Sequence, residues 1–212
     1  MDQTTTAEAE AEVAQLVSEL IAIDSSNFGN DEGPGEAAAA DYVQQRLLEV
    51  GLESERFSTT SDRRQGVYLR IPGKNPERKA LLLHGHLDVV PAPEPDWVHP
   101  AFSGVIDDAG MLWGRGAVDM KDMDGMMLAV IRQWARAGVM PDRDIVALWL
   151  PDEEAGGTHG SGWLVDNRKD MFRGVSDAIG EVGGFSVTLR DDLRMYPIQT
   201  AEKGIAWLRL IA

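Results

Sequence analysis

A chain of 212 residues, 43% hydrophobic and 26% charged, is long enough for one α/β domain with a core of its own, and its composition favours neither disorder nor a membrane span. Its formal net charge of −15 argues against non-specific nucleic-acid binding and against docking on anionic lipid, since both need a basic surface. With no cysteine, disulfides, thiolate zinc sites and a cysteine nucleophile are excluded, and any zinc has to be held by histidine and carboxylates.

The start, Met1 to Glu12, is polar and acidic with no basic segment leading into an apolar one, which predicts a cytoplasmic chain. Val13, Leu16, Val17, Leu20 and Ile21 fall at helical spacing and predict a first helix, followed by the turn residues Asp24-Ser25-Ser26-Asn27 and Gly29. Pro34 suits a first helical turn, and Ala37 to Val50 predicts a second helix with Tyr42, Val43 and Leu47 on its apolar side and Gly51 as its stop. Val67, Leu69 and Ile71 alternate with polar residues before Pro72-Gly73, as in a strand covered on one face. Ala80 to Leu83 is a continuous apolar run, expected to be a central strand buried on both faces. Met120, Met123, Met127, Val130, Ile131 and Trp134 predict a third helix up to Gly138, its methionines filling core space. Ile145 to Leu150 is a second buried strand, and Gly204 to Ala212 reads as a further apolar one. Strands alternating with helices predict an α/β fold, a largely parallel mixed sheet covered by helices on both faces.

In such sheets functional groups gather just beyond the carboxyl ends of strands. The run Ala80 to Leu83 leads into His84-Gly85-His86-Leu87-Asp88, where residues two apart share a face, so that Asp88 can sit beside His86 and fix its tautomer. The loop Trp113-Gly114-Arg115-Gly116-Ala117-Val118-Asp119 delivers a carboxylate to the start of the third helix. It lacks the spacing and the Gly-Lys-Ser/Thr of a phosphate-binding loop, and Asp122-Met123-Asp124-Gly125 lacks the remaining ligands of a calcium loop. After Leu150 come Pro151-Asp152-Glu153-Glu154, adjacent carboxylates that are costly without a cation nearby. In metal-assisted hydrolysis one such glutamate binds the ion while its neighbour takes a proton from the attacking water. Each piece alone has a plainer reading: a satisfied histidine, a helix N-cap at Asp119, a solvated acidic loop.

Together the pieces resemble the zinc hydrolases that include aminoacylase, acetylornithine deacetylase, succinyl-diaminopimelate desuccinylase and glutamate carboxypeptidases. The resemblance is carried by His84-Gly85-His86-Leu87-Asp88-Val89-Val90-Pro91, by Gly114-Arg115-Gly116-Ala117-Val118-Asp119-Met120-Lys121, by Glu153-Glu154, and by Glu181 ahead of Gly183-Gly184. It implies a zinc-peptidase-like catalytic domain in which His86 and Glu181 hold one Zn2+, Asp119 bridges to a second, and Glu154 holds that second ion. Co2+ or Mn2+ suits the same donors. It further implies that Asp88 orients His86, that Glu153 is the general base, and that the Asp119-Met120 peptide is cis. The substrate implied is a peptide or an N-acyl amino acid.

Two departures stand out. Where the family commonly continues with glycine after the lysine, this chain has Asp122-Met123-Asp124, a difference expected to bear on packing rather than chemistry. The family's last histidine ligand, its lid domain and the C-terminal part of its catalytic domain have no counterpart here. Residues 1–212 are therefore expected to be the N-terminal part of the catalytic domain, weakly active or inactive alone, with any homodimer confined to a form carrying the lid. The alternative is a catalytically silent metal-binding or interaction protein on the same scaffold.

Overall fold

The computed structural model describes residues 3–181 and 186–197. The predicted strand at Gly204–Ala212 and the pair Gly183-Gly184 lie outside the described residues. In chain order the elements are α1 (Gln3–Ile21), α2 (Ala37–Leu48), β1 (Glu55–Ser58), β2 (Gln65–Ile71), β3 (Ala80–His86), α3 (Lys121–Arg136), β4 (Ile145–Leu150), α4 (Ser161–Asn167), β5 (Val175–Ile179), β6 (Val187–Arg190) and β7 (Leu193–Met195). Short 3-10 turns occupy Glu94–Asp96 and Lys169–Phe172.

Strands β1 to β5 form one sheet in the order β1-β2-β4-β3-β5, and β6 pairs with β7 in a separate hairpin. The sheet is mixed: β3 runs parallel to both β4 and β5, whereas β2 is antiparallel to β1 and β4. The parallel strands agree with the expected architecture, and the antiparallel pair adds an edge that the alternation of elements did not reveal.

The period of two in β4 divides the core. Ala147 and Trp149 point to one face, where they join Val67 and Leu69 of β2, Leu16 and Leu20 of α1, Val43 and Leu47 of α2, and Leu128 and Ile131 of α3. Val146 and Leu148 point to the other face and pack with Phe57, Ala80, Leu164 of α4 and Met171. Helices thus cover both faces, three on one and the short α4 on the other. β3 is flanked on both sides, but Leu81 to His84 are only half-buried, because β5 beside them is itself exposed along most of its length.

The stripe that α3 buries differs from the methionine pattern. Met127, Leu128 and Ile131 are buried, Val130 faces out, and Lys121, Asp124, Gly125 and Arg132 are buried with the apolar set. The reason is the close crossing of α1: a Cβ on Gly125 would lie 2.4 Å from Val17 Cγ2, so glycine is what lets the two helices meet. The Lys121 ammonium then reaches under α1 and donates to the carbonyls of Leu20 (3.0 Å) and Ile23 (2.7 Å), capping that helix from inside. Among the described residues no helix is long and apolar enough to cross a membrane.

Candidate metal centre

Four chain segments meet at the carboxyl edge of the parallel strands. His86 ends β3, the turn Asp152-Glu153-Glu154 follows β4, Glu181 follows β5, and Asp119 immediately precedes α3. The topology explains the meeting: β4, β3 and β5 are adjacent and parallel, so the residues that leave them emerge side by side.

His86 is the centre of the arrangement and is 2% exposed. Its Nδ1 lies 2.9 Å from the Asp88 main-chain carbonyl oxygen, an acceptor that makes Nδ1 the donor and turns the Nε2 lone pair outward in the neutral ring. Around Nε2 stand Asp119 Oδ1 at 3.1 Å, Glu153 Oε2 at 3.7 Å and Glu181 Oε2 at 3.8 Å. One donor atom each from His86, Asp119 and Glu181 lies within 4.8 Å of the others, the one such group of three among the described residues. A nitrogen and two carboxylate oxygens at that spacing suit zinc, and equally cobalt or manganese.

The electrostatics follow from crowding. Burial alone would lower His86, but the hydrogen bond to Asp119 and the Asp88 carboxylate outweigh it and hold the imidazole up at about 11. Asp119 is lowered mainly by its bond to that imidazole. Burial, with Asp119 nearby, pushes Glu154 up to about 7, and the same two causes raise Glu181. Carboxylates that raise one another around one imidazole mark a place where a cation is favoured. Glu154 stands outside the group of three, coupled to Asp119 by charge.

Asp88 occupies a wider role than a partner for His86. Its carboxylate Oδ1 is 3.5 Å from the ring nitrogen, beyond a hydrogen bond. Instead the buried carboxylate accepts the backbone N–H of Glu153 and of Glu154, both at 3.0 Å, and the side-chain amide of Asn27 at 2.8 Å. The cause is local: Leu87 N–H bonds Leu150 C=O, which sets the β3 exit against the β4 exit and brings Asp88 over the turn amides.

The Asp119-Met120 peptide is cis. The departure at Asp122-Met123-Asp124 is felt in packing. Asp124 is fully buried with neither carboxylate oxygen hydrogen-bonded, and burial raises its carboxyl well above the usual range. Its Oδ1 lies where a Cβ on Gly85 would come within 2.3 Å, so Gly85 makes the room for it. His84 is half-buried, with its ring against Gly180.

Sequence reasoning missed a buried polar layer behind the turn. Ser25 to Asn27 run beside Leu87 to Val89, with Asn27 N–H bonding Val89 C=O at 2.8 Å and Ser25 Oγ–H bonding Leu87 C=O at 2.6 Å. The Arg64 guanidinium, 1% exposed, donates to Glu36 at 2.5 Å and to Asn27 Oδ1 at 2.9 Å. Asp152, 1% exposed, accepts from Asn27 Nδ2 at 3.2 Å and from His159 N–H at 2.7 Å. Asn27 was legible only as a turn residue. Glu36 and Arg64 are 28 positions apart and meet only in space.

Comparison with known proteins gives relatives by sequence and by fold. Aminoacylase-1 of Sus scrofa is 35% identical over 127 residues, which are 60% of this chain and 31% of that protein. The fold superposes on human carnosine dipeptidase 1 with a TM-score of 0.69 at 20% identity, covering 84% of this chain and 39% of that one. It also superposes on a dinuclear metal-binding peptidase of the M20 family from Bacillus subtilis, with a TM-score of 0.57 at 15% identity over 81% of this chain and 42% of that one. At these identities the likeness to the two structures is one of fold. The chain spans about a third of the length of the curated relatives it matches. The model of peptidase family M20/M25/M40 matches residues 82–197, more than half of the chain and the stretch that carries His86, Asp119, Glu153, Glu154 and Glu181, and the chain belongs to that family.

Proposed function

We propose that this chain supplies most of the active site of a two-zinc hydrolase that cleaves the amide or peptide bond of a small peptide or an N-acyl amino acid. The observation that carries the reading is the outward Nε2 of His86 ringed by Asp119, Glu153 and Glu181 at 3.1 to 3.8 Å, with Nδ1 tied back to the Asp88 carbonyl. In this reading His86, Asp119 and Glu181 hold the first Zn2+, and Asp119 and Glu154 hold the second. Such ions supply Lewis-acid polarisation of the scissile carbonyl and activation of water at neutral pH.

The protein's own part is proton handling and positioning. Glu153 takes the proton of the attacking water and passes it to the leaving amine, which lets one carboxylate act first as base and then as acid. Asp88 supports both sides of this reading through different atoms, its main-chain carbonyl holding the imidazole of His86 and its buried carboxylate holding the amides of Glu153 and Glu154. Residues 1–212 are, in the same proposal, the N-terminal part of the catalytic domain, in a cytoplasmic protein whose lid and remaining ligand belong to sequence beyond these residues.

A second reading, a silent metal-binding protein on this scaffold, is favoured by the second ion's ligands: within these residues only Asp119 and Glu154 are assigned to it, whereas catalytic zinc usually has three protein ligands. One experiment separates the two. The protein from its native source is tested on dipeptides and on N-acetyl and N-succinyl amino acids, as wild type and as Glu153→Gln. The proposal expects turnover that falls by a factor of about 10² to 10⁴ in the variant while zinc is retained. No turnover in the wild type, or none lost in the variant, refutes it.

A further inference from the structure

Asn27 sits between two buried carboxylates and a buried guanidinium, and its four hydrogen bonds use everything an amide has. Its Nδ2 donates to Asp88 Oδ2 at 2.8 Å and to Asp152 Oδ1 at 3.2 Å, while its Oδ1 accepts from Arg64 Nη2 at 2.9 Å and from Gly29 N–H at 3.0 Å. The orientation of the amide follows from chemistry, since ionised carboxylates only accept and a guanidinium only donates. No other side chain of this size matches that surround. Aspartate would set a third carboxylate against two, and alanine would leave two carboxylate oxygens and a guanidinium N–H short of a partner in a place closed to solvent.

We propose that Asn27 is the positioning residue of the Glu153-Glu154 turn. It grips the turn at both ends. Asp88, the first carboxylate it holds, accepts the N–H groups of Glu153 and Glu154. Asp152, the second, is the residue that starts the turn and has a backbone φ of 65°, in the left-handed region that aspartate enters more readily than most residues. Asn27 is itself fixed by main-chain pairing beside β3, through its N–H to Val89 C=O. The segment before α2 therefore acts on residues 125 positions later in the chain. The consequence for the second ion and for the base rests on the function proposed above; the grip on the turn does not.

The test reads the turn and the metal separately. Amide hydrogen exchange by NMR is measured on wild type and on Asn27→Ala, each shown to be folded by circular dichroism, and zinc binding is measured by competition with a chelator. In the wild type the Glu153 and Glu154 amides are expected to be protected. In Asn27→Ala that protection falls by about tenfold or more, while the core of β4 keeps its protection, because one charge-assisted bond holding Asp88 is lost. The affinity for the second zinc falls by about 10- to 100-fold, more than that for the first.

Unchanged protection of both amides in folded Asn27→Ala overturns the proposal. Loss of protection in the variant, with no zinc bound by the wild type, supports the positioning role and refutes the metal reading. Should Asn27→Ala fail to fold, the wild type decides alone: both side-chain amide protons of Asn27 exchange slowly if they are donated to buried carboxylates, and fast exchange of either overturns the proposal.

Discussion

Replacing Asp88 with asparagine keeps shape and removes charge, and the structure sets what that costs. The carboxylate is fully buried and accepts three N–H groups, from Glu153 and Glu154 at 3.0 Å and from Asn27 at 2.8 Å. In Asp88→Asn one oxygen becomes an NH2 group that faces a donor, so at least one bond is lost and an N–H is left without an acceptor, while the rest lose their charge assistance. A bond to a charged group is worth about 1.5 to 3 kcal/mol, and an unsatisfied buried donor costs about 1 to 3 kcal/mol more. The sum, about 2.5 to 6 kcal/mol, is a large share of the roughly 5 to 15 kcal/mol that stabilises a domain. Urea unfolding followed by tryptophan fluorescence at pH 7 measures it, and with a slope of about 2 kcal/mol/M the midpoint falls by about 1.2 to 3 M. Asp96→Asn, at an exposed position in the turn Glu94–Asp96, is the control and shifts by no more than about 0.5 kcal/mol. A change below about 1 kcal/mol in Asp88→Asn refutes the reasoning that this carboxylate holds the turn.

Gly125→Ala tests the crossing of α1 and α3. Alanine gains up to about 1 kcal/mol of helix propensity, but its methyl would meet Val17 Cγ2 at 2.4 Å, and overpacking of that kind costs about 1 to 3 kcal/mol, so a net fall in melting temperature is expected and a rise contradicts the close crossing. Asp144→Asn carries a pH dependence. The N–H of Gly73 at 2.8 Å, and then Arg70 at 2.9 Å, lower the Asp144 carboxyl below its usual value, so the folded state favours the charged form. Its contribution, about 1 kcal/mol, is present above the unfolded value of about 3.9 and is lost as pH falls through the lowered folded value. The stability gap between wild type and variant is therefore expected at pH 7 and closes in acid; a gap that persists at low pH argues for packing instead of charge.

The sheet was legible where burial is two-sided. Ile145 to Leu150 had no other reading, and the helical spacing of Leu16, Val17, Leu20 and Ile21 found the face of α1 that the core covers. β5 was not legible, because Ser176 and Asp177 interrupt its apolar residues and the strand is exposed for most of its length. The stripe of α3 was read in part: Met120, Met127 and Ile131 are buried and Met123 packs on the core as the spacing predicts, whereas Val130 faces out and the burial of Lys121, Asp124, Gly125 and Arg132 was not foreseen. Gly125 and Lys121 owe their burial to α1, which lies some hundred residues earlier.

At the candidate metal centre His86, Glu153 and Glu154 could be read because they follow apolar runs, and Asp119 because it lies just ahead of a helix, whereas Glu181, behind the illegible β5, was carried by the family resemblance alone. The residues behind them could not. Asn27, Glu36, Arg64 and Asp152 are polar groups that only make sense as neighbours, and a single sequence shows a buried arginine and an exposed one alike. Asp88 falls between the cases: its place beside His86 followed from the spacing of two, while its bonds to the Glu153 and Glu154 amides required the pairing of β3 with β4.

The central claim is that His86, Asp119 and Glu181 form a metal site. Equilibrium dialysis against Zn2+, with bound metal counted by mass spectrometry, tests it directly on the wild-type chain and on His86→Ala and Glu181→Gln. The account predicts one zinc held more tightly than a second, with the tighter binding lost in His86→Ala and weakened in Glu181→Gln by about tenfold or more, ligand loss being at least as damaging as loss of a residue behind a ligand. A wild-type chain that binds no zinc, or a His86→Ala variant that binds it as well as the wild type, contradicts it.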